Sequence, residues 1–171
     1  AQFRHANFLN SVQSAMRDSG VPAASLELEI TETIAMEDPS FILRVLEEVK
    51  QLGGTVAIDD FGTGFSSLSQ LRRLKVDRLK IDRAFVQEAQ ASEAGATIAS
   101  MVVNLGRSLG LTVIAEGIET EEQRQHLLNL GCHEGQGWLF ARPQAAEQLE
   151  EWLRQEGARA AASKAEQASV S

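Results

Sequence analysis

The run AIDDFGTGFSSL, residues 57–68, sets an apolar stretch against two consecutive acids and then places glycines at Gly62 and Gly64. Apolar residues that end in charge and a glycine-bearing turn mark the end of a buried strand entering a loop. The strand begins upstream, with Thr55 to Ile58 rich in β-forming residues. Ahead of it, Phe41, Val45, Val49 and Leu52 share one helical stripe between the start signal Asp38-Pro39-Ser40 and the stop Gly53-Gly54. A helix therefore precedes the strand, and the same alternation extends in both directions.

Outward from this segment, β-rich runs are predicted at Leu26 to Ile30, Arg78 to Ile81, Thr112 to Ala115 and His133 to Leu139. Helical spacing is predicted at Phe8 to Asp18, Phe65 to Leu74, Ala94 to Leu109, Glu121 to Leu130 and Ala145 to Leu153, with Gly110 and Gly131 as helix-ending glycines. Strands alternating with helices imply a parallel sheet. About five β/α units fit either an open sheet covered by helices or a piece of a larger closed barrel, and periodicity is compatible with both. Residues 1–157 are expected to form one domain. The alanine-rich stretch 158–171, almost without large apolar residues, is expected to be a frayed or disordered tail.

The chain has 171 residues, 43% hydrophobic and 23% charged, the composition of a soluble globular protein. Its formal net charge of −8 argues against a partner that is a long nucleic acid, since such binding rests on clustered Lys and Arg. A small phosphorylated ligand stays open, because a bound cation or oriented amides outweigh the overall field at close range. No apolar run reaches the length of a membrane span, and Ala1 to Asn10 lack the pattern of a secretory signal, so a cytoplasmic location is expected. The single cysteine, Cys132, reads as a small buried hydrophobe.

Chemistry concentrates where strands end. Glu29 and Glu32 close the first strand, Asp59 and Asp60 the second, Lys80 and Asp82 the third, Glu116 and Glu119 the fourth, and Gln136 lies in the fifth. Each acid taken alone reads equally as a helix cap or turn former. Acids at four successive strand ends, with one lysine among them, instead imply mutual pairing, a metal, or both, and hard oxygen donors suit Mg2+ or Mn2+.

The strings ELEITET, AIDDFGTGFSSL, DRLKIDRAFV, VIAEGIET and GCHEGQGWLFARP resemble, in order and approximate separation, the EAL domain family of cyclic di-GMP phosphodiesterases. The resemblance implies a (β/α)8 TIM-barrel-like fold, here a partial barrel, and metal-dependent hydrolysis of cyclic di-GMP to linear pGpG with Mg2+ or Mn2+. It implies a two-metal site in which Glu29 is a ligand of the first metal, Asp59 of both and Asp60 of the second, with the first-metal site incomplete here. Glu116 and Lys80 would be catalytic, Glu116 as general base or as a second-metal ligand and Lys80 holding the attacking water and a phosphate oxygen. Gln136 and Asp82 would line the substrate site. Glu32 would anchor the loop carrying Gly62 and Thr63, which the resemblance links to dimerisation, and Glu119 would support the site from behind. The namesake Glu-Ala-Leu strand and a metal-binding asparagine of the family have no counterpart in the sequence, and Phe65 and Trp138 stand where tyrosine is frequent. A shortened piece of a longer enzyme is therefore expected, impaired in turnover and self-associating through exposed sheet edges. The competing functions are a non-catalytic cyclic di-GMP-binding or docking module, and a barrel enzyme using Lys80 as a Schiff base.

Overall fold

A computed structural model describes residues 8–62, 68–91 and 93–155. Helix α1 (Phe8–Ser19) leads through a short 3-10 turn (Ala23–Ser25) to strand β1 (Glu27–Thr31). Then follow α2 (Glu32–Glu37), α3 (Pro39–Gln51), β2 (Thr55–Phe61), α4 (Leu68–Leu74), β3 (Arg78–Ile81), α5 (Arg83–Ala91) and α6 (Glu93–Leu109). Strand β4 (Thr112–Ala115), helix α7 (Glu121–Leu130) and strand β5 (Glu134–Gly135) complete a compact unit that ends at Phe140. A second unit, Ala141–Ser171, contains helix α8 at residues 146–155, along which Arg154 pairs with Glu150 and Glu151.

Local chemistry accounts for the element starts. The Asp38 carboxylate accepts from the Phe41 amide at 3.1 Å and Pro39 occupies the first turn of α3, where its missing N–H costs nothing. Helix α7 opens on a reciprocal cap, with Thr120 Oγ1 accepting from the Gln123 amide and Gln123 Oε1 accepting from the amides of Thr120 and Glu119.

The five strands are all parallel and lie in sequential order, β1-β2-β3-β4-β5. A doubly wound sheet reverses its order at a switch point, whereas this order never reverses, which is the winding of consecutive strands in a barrel. Ile30, Val56, Ile58, Leu79, Ile81 and Ala115 pack with apolar residues of α3, α6 and α7 into one core. Because side chains alternate along a strand, that packing commits Glu29, Asp59, Lys80 and their neighbours to the opposite face.

Several boundaries differ from the sequence expectation. Strand β2 runs on through Asp59 and Asp60 to Phe61, so the paired acids belong to the strand. The expected strand His133 to Leu139 shrinks to Glu134–Gly135, because Gly137, at φ 158°, turns the chain so that Leu139 donates its amide to the Ile118 carbonyl. Helices α2 and α5 were not expected: α2 packs only a short Glu32–Glu37 turn behind β1, and α5 has little apolar periodicity beyond Phe85, Val86 and Ala89. The predicted start of α4 at Phe65, and the tail 158–171, lie outside the described residues.

Candidate active site

The acids of β2 are brought together by a defect in the sheet. Ala57 and Ile58 pair regularly with β3, but the register shifts between Ile58 and Phe61, a bulge. Asp60 has a left-handed backbone, φ 55°, a conformation that aspartate tolerates better than most residues, and its amide donates to the Asp59 carboxylate at 3.0 Å. In a regular strand consecutive side chains point to opposite faces. The bulge removes that constraint, so that carboxylate oxygens of Asp59, Asp60 and Glu116 all lie within 4.8 Å of one another.

Lys80, on the central strand β3, is the hub of this face. Its side chain is 3% exposed, and Nζ stands 2.5 Å from Glu116, 2.7 Å from Glu29 and 3.3 Å from Asp59. Burial works against the ammonium, but hydrogen bonds to Glu116 and Glu29 and the charges of Glu116 and Asp59 outweigh it and hold Lys80 charged well above the usual lysine range. A protonated lysine is the opposite of the neutral amine a Schiff-base mechanism needs.

Two of the acids are raised as well, which for a carboxyl favours the neutral form. Burial raises the Glu116 carboxyl above its ordinary value, a shift that the hydrogen bond from Lys80 counters and the charges of Asp59 and Glu29 reinforce. Asp60 is raised by burial and by the neighbouring charges of Asp59 and Asp82. Gathering like charges at one spot is unfavourable unless a cation enters.

The surroundings fix these groups. Gln136 Nε2 donates to Glu116 at 2.8 Å. Glu32, 3% exposed at the start of α2, accepts the Gly62 amide at 3.0 Å and so ties the end of β2 to the residue after β1. Gly62 has φ 102°, a backbone that favours glycine, and a Cβ there would stand 2.9 Å from the Phe85 ring and displace it. Glu119 pairs with Arg83 at 2.5 Å, and the Arg83 guanidinium lies 5.5 Å from the centroid of the Trp138 ring.

A family model described as the EAL domain matches residues 1–143. The chain belongs to the EAL domain family. The bifunctional diguanylate cyclase/cyclic di-GMP phosphodiesterase MucR of Pseudomonas aeruginosa is 46% identical over 148 residues, which are 86% of this chain and 22% of that protein. Among solved structures, the MucR phosphodiesterase in complex with c-di-GMP superposes with a TM-score of 0.83, covering 86% of this chain and 60% of that one at 46% identity. The manganese and cyclic di-GMP complex of Klebsiella pneumoniae BlrP1 superposes with a TM-score of 0.76 at 33% identity, covering 83% of this chain and 36% of that one. The chain thus spans about a fifth of the curated relative's length, and its neighbours are EAL domains with the TIM-barrel-like α/β fold.

Within this EAL domain the site's donors fit a hard divalent cation. Asp59, Asp60 and Glu116 offer three carboxylate oxygens within 4.8 Å of one another, close enough for a single ion to bridge. No helix among the described residues is long and apolar enough to cross a membrane.

Of the residues singled out from sequence, Glu29, Asp59, Lys80, Glu116 and Gln136 are brought into one constellation. Asp82 sits beside Asp60. Glu32 and Gly62 bond to each other and Glu119 pairs with Arg83, while Thr63 and the rest of the loop after Gly62 lie outside the described residues. Sequence reasoning missed a second ionic group one pleat below, where Arg78 pairs with Glu27 and Glu134. The signal was the i, i−2 spacing of these residues from Glu29, Lys80 and Gln136 on their respective strands.

Proposed function

We propose that this EAL domain hydrolyses cyclic di-GMP to linear pGpG in a metal-dependent reaction. The observation that carries the proposal is the convergence of Asp59, Asp60 and Glu116 beside a buried, charged Lys80. The cation would be Mg2+ or Mn2+, and Asp59, Asp60 and Glu116 would hold it, with Glu29 contributing from β1. When bound, such an ion withdraws charge from a phosphodiester oxygen and acidifies an attacking water.

The chain's own residues do the rest. Lys80, fixed by three carboxylates, presents a point positive charge that needs no reorganisation as negative charge builds on the phosphate, a contribution of the order of 3 kcal/mol in comparable sites. Glu116 is the general base: burial raises its affinity for a proton, and Gln136 and Lys80 hold its carboxylate in one orientation. Asp82 keeps Asp60 in place and, with Gln136, borders the substrate.

The 171-residue chain by itself contains neither the Glu-Ala-Leu motif nor the asparagine ligand that the family resemblance implies. Its own turnover is therefore proposed to be slow. The test is incubation with cyclic di-GMP and Mn2+, with products separated by chromatography and Asp59→Asn as control. Mn2+-dependent pGpG that disappears in the control supports the proposal. Product formation that is indifferent to Asp59, or to chelation of the metal, refutes it.

A further inference from the structure

We infer that Arg78 is a positioning residue that clamps both edge strands of the sheet to its centre and thereby holds Glu29 within reach of Lys80 and Gln136 within reach of Glu116. The inference deepens the functional reading above and rests on it for the role of Glu29. In the strand order, β3 is central and β1 and β5 are the edges. Arg78 on β3 reaches past β2 to Glu27 on β1, Nε to Oε2 at 3.1 Å, and past β4 to Glu134 on β5, Nη1 to Oε2 at 2.9 Å. Each reach crosses two strand spacings, about 9.6 Å of sheet. On the β1 side small residues make room, since Thr55 and Ala57 on β2 pair in register with Glu27 and Arg78 and Thr55 Oγ1 donates to Glu27 at 3.3 Å; on the β5 side Thr112 pairs with Arg78 and Ile114 with Glu134.

The three members of this tier stand two residues before members of the tier above. Glu27 precedes Glu29, Arg78 precedes Lys80, and Glu134 precedes Gln136. On β1 and β3 a displacement at the lower tier therefore carries the upper-tier residue with it, since both hang from one extended backbone, and Gln136 directly follows the end of β5. Strand β5 has only two residues in the ladder, Glu134 and Gly135, which pair with Ile114 and Ala115; beyond them the Gln136 amide donates to the Ala115 carbonyl and the Ile118 amide to the Gln136 carbonyl, and the side-chain tie adds to these bonds at Glu134. A planar guanidinium with several fixed donors bridges two carboxylates on opposite sides, whereas a lysine ammonium is a single point charge on a flexible stem.

The test uses the 171-residue chain and compares wild type, Arg78→Lys and the triple variant Glu27→Gln, Arg78→Met, Glu134→Gln. Mn2+ affinity is measured by calorimetry, and amide hydrogen exchange is measured strand by strand in the metal-free state. Arg78→Lys keeps the charge and is expected to bind Mn2+ about tenfold more weakly, with faster exchange at β1 and β5 and unchanged exchange at β2 and β4. The triple variant removes all three charges together and leaves none of them unpaired, so it is expected to keep thermal stability near that of wild type while its Mn2+ affinity stays lowered. Wild-type affinity and exchange in Arg78→Lys overturn the inference, as does recovery of full affinity in the triple variant. If the wild type itself binds no Mn2+, the functional reading fails separately. The exchange pattern then decides the clamp: acceleration confined to β1 and β5 upholds it, and no acceleration removes it.

Discussion

The two faces of the sheet are built from alternate residues of the same strands and have opposite chemistry. Towards the helices, Ile30, Ile58, Leu79 and Ile81 are each at most 1% exposed and belong to one continuous apolar core. On the other face, one residue along, Glu29, Asp59 and Lys80 meet through ionic contacts. In many (β/α)8 barrels the interior is filled by bulky apolar side chains. Here stability is concentrated between sheet and helices, which releases the opposite face for charge.

This division makes separable predictions. Leu79→Ala, on the helix side of β3, is expected to cost about 3–4 kcal/mol of folding stability, the cost of a large cavity in a well-packed core. Denaturant titration measures it, and Mn2+ affinity of the folded fraction should be unchanged. Its neighbour Lys80→Met sharpens the comparison, because it leaves Glu29, Asp59 and Glu116 facing one another without their cation. A loss of about 3 kcal/mol is expected in the metal-free chain, and saturating Mn2+ should recover part of it. If Lys80→Met is as stable as wild type without metal, the polar face contributes less through Lys80 than the distances imply.

A smaller effect is expected from pH. Glu116 and Asp60 both have carboxyls raised above their ordinary values in the metal-free fold. A raised acid favours folding when protonated, so its contribution is fully present below the ordinary carboxylate value and is lost as pH rises through the raised value. These two groups should therefore make the metal-free chain less stable as pH climbs from about 4 towards neutrality. Asp60→Asn should flatten that slope in thermal unfolding measured across the same range, while Asn still accommodates the left-handed backbone at this position.

Most of the sheet was legible in the sequence, because its central strands are runs of β-branched and apolar residues bounded by charge and glycine. Strand order was not, since alternation of strands and helices is shared by open and closed sheets. The catalytic candidates were legible as acids at strand ends. The bulge that turns Asp59 and Asp60 to one side was hidden, because a single left-handed residue leaves no periodic trace. The Arg78 tier was hidden for a different reason: Glu27, Arg78 and Glu134 are far apart along the chain, and only sheet register places them together. Cys132 was read as buried and is 4% exposed, with burial pushing its thiol up to about 11, so it is inert at neutral pH.

The central claim is that the bulged acids of β2 and Glu116 gather to hold a divalent cation. Calorimetric titration of Mn2+ into the wild-type chain and into Asp59→Asn tests it most directly. Saturable binding by the wild type, weakened more than about a hundredfold by the loss of one carboxylate charge, is the predicted result. Equal affinity in the two proteins, or none in either, would contradict it.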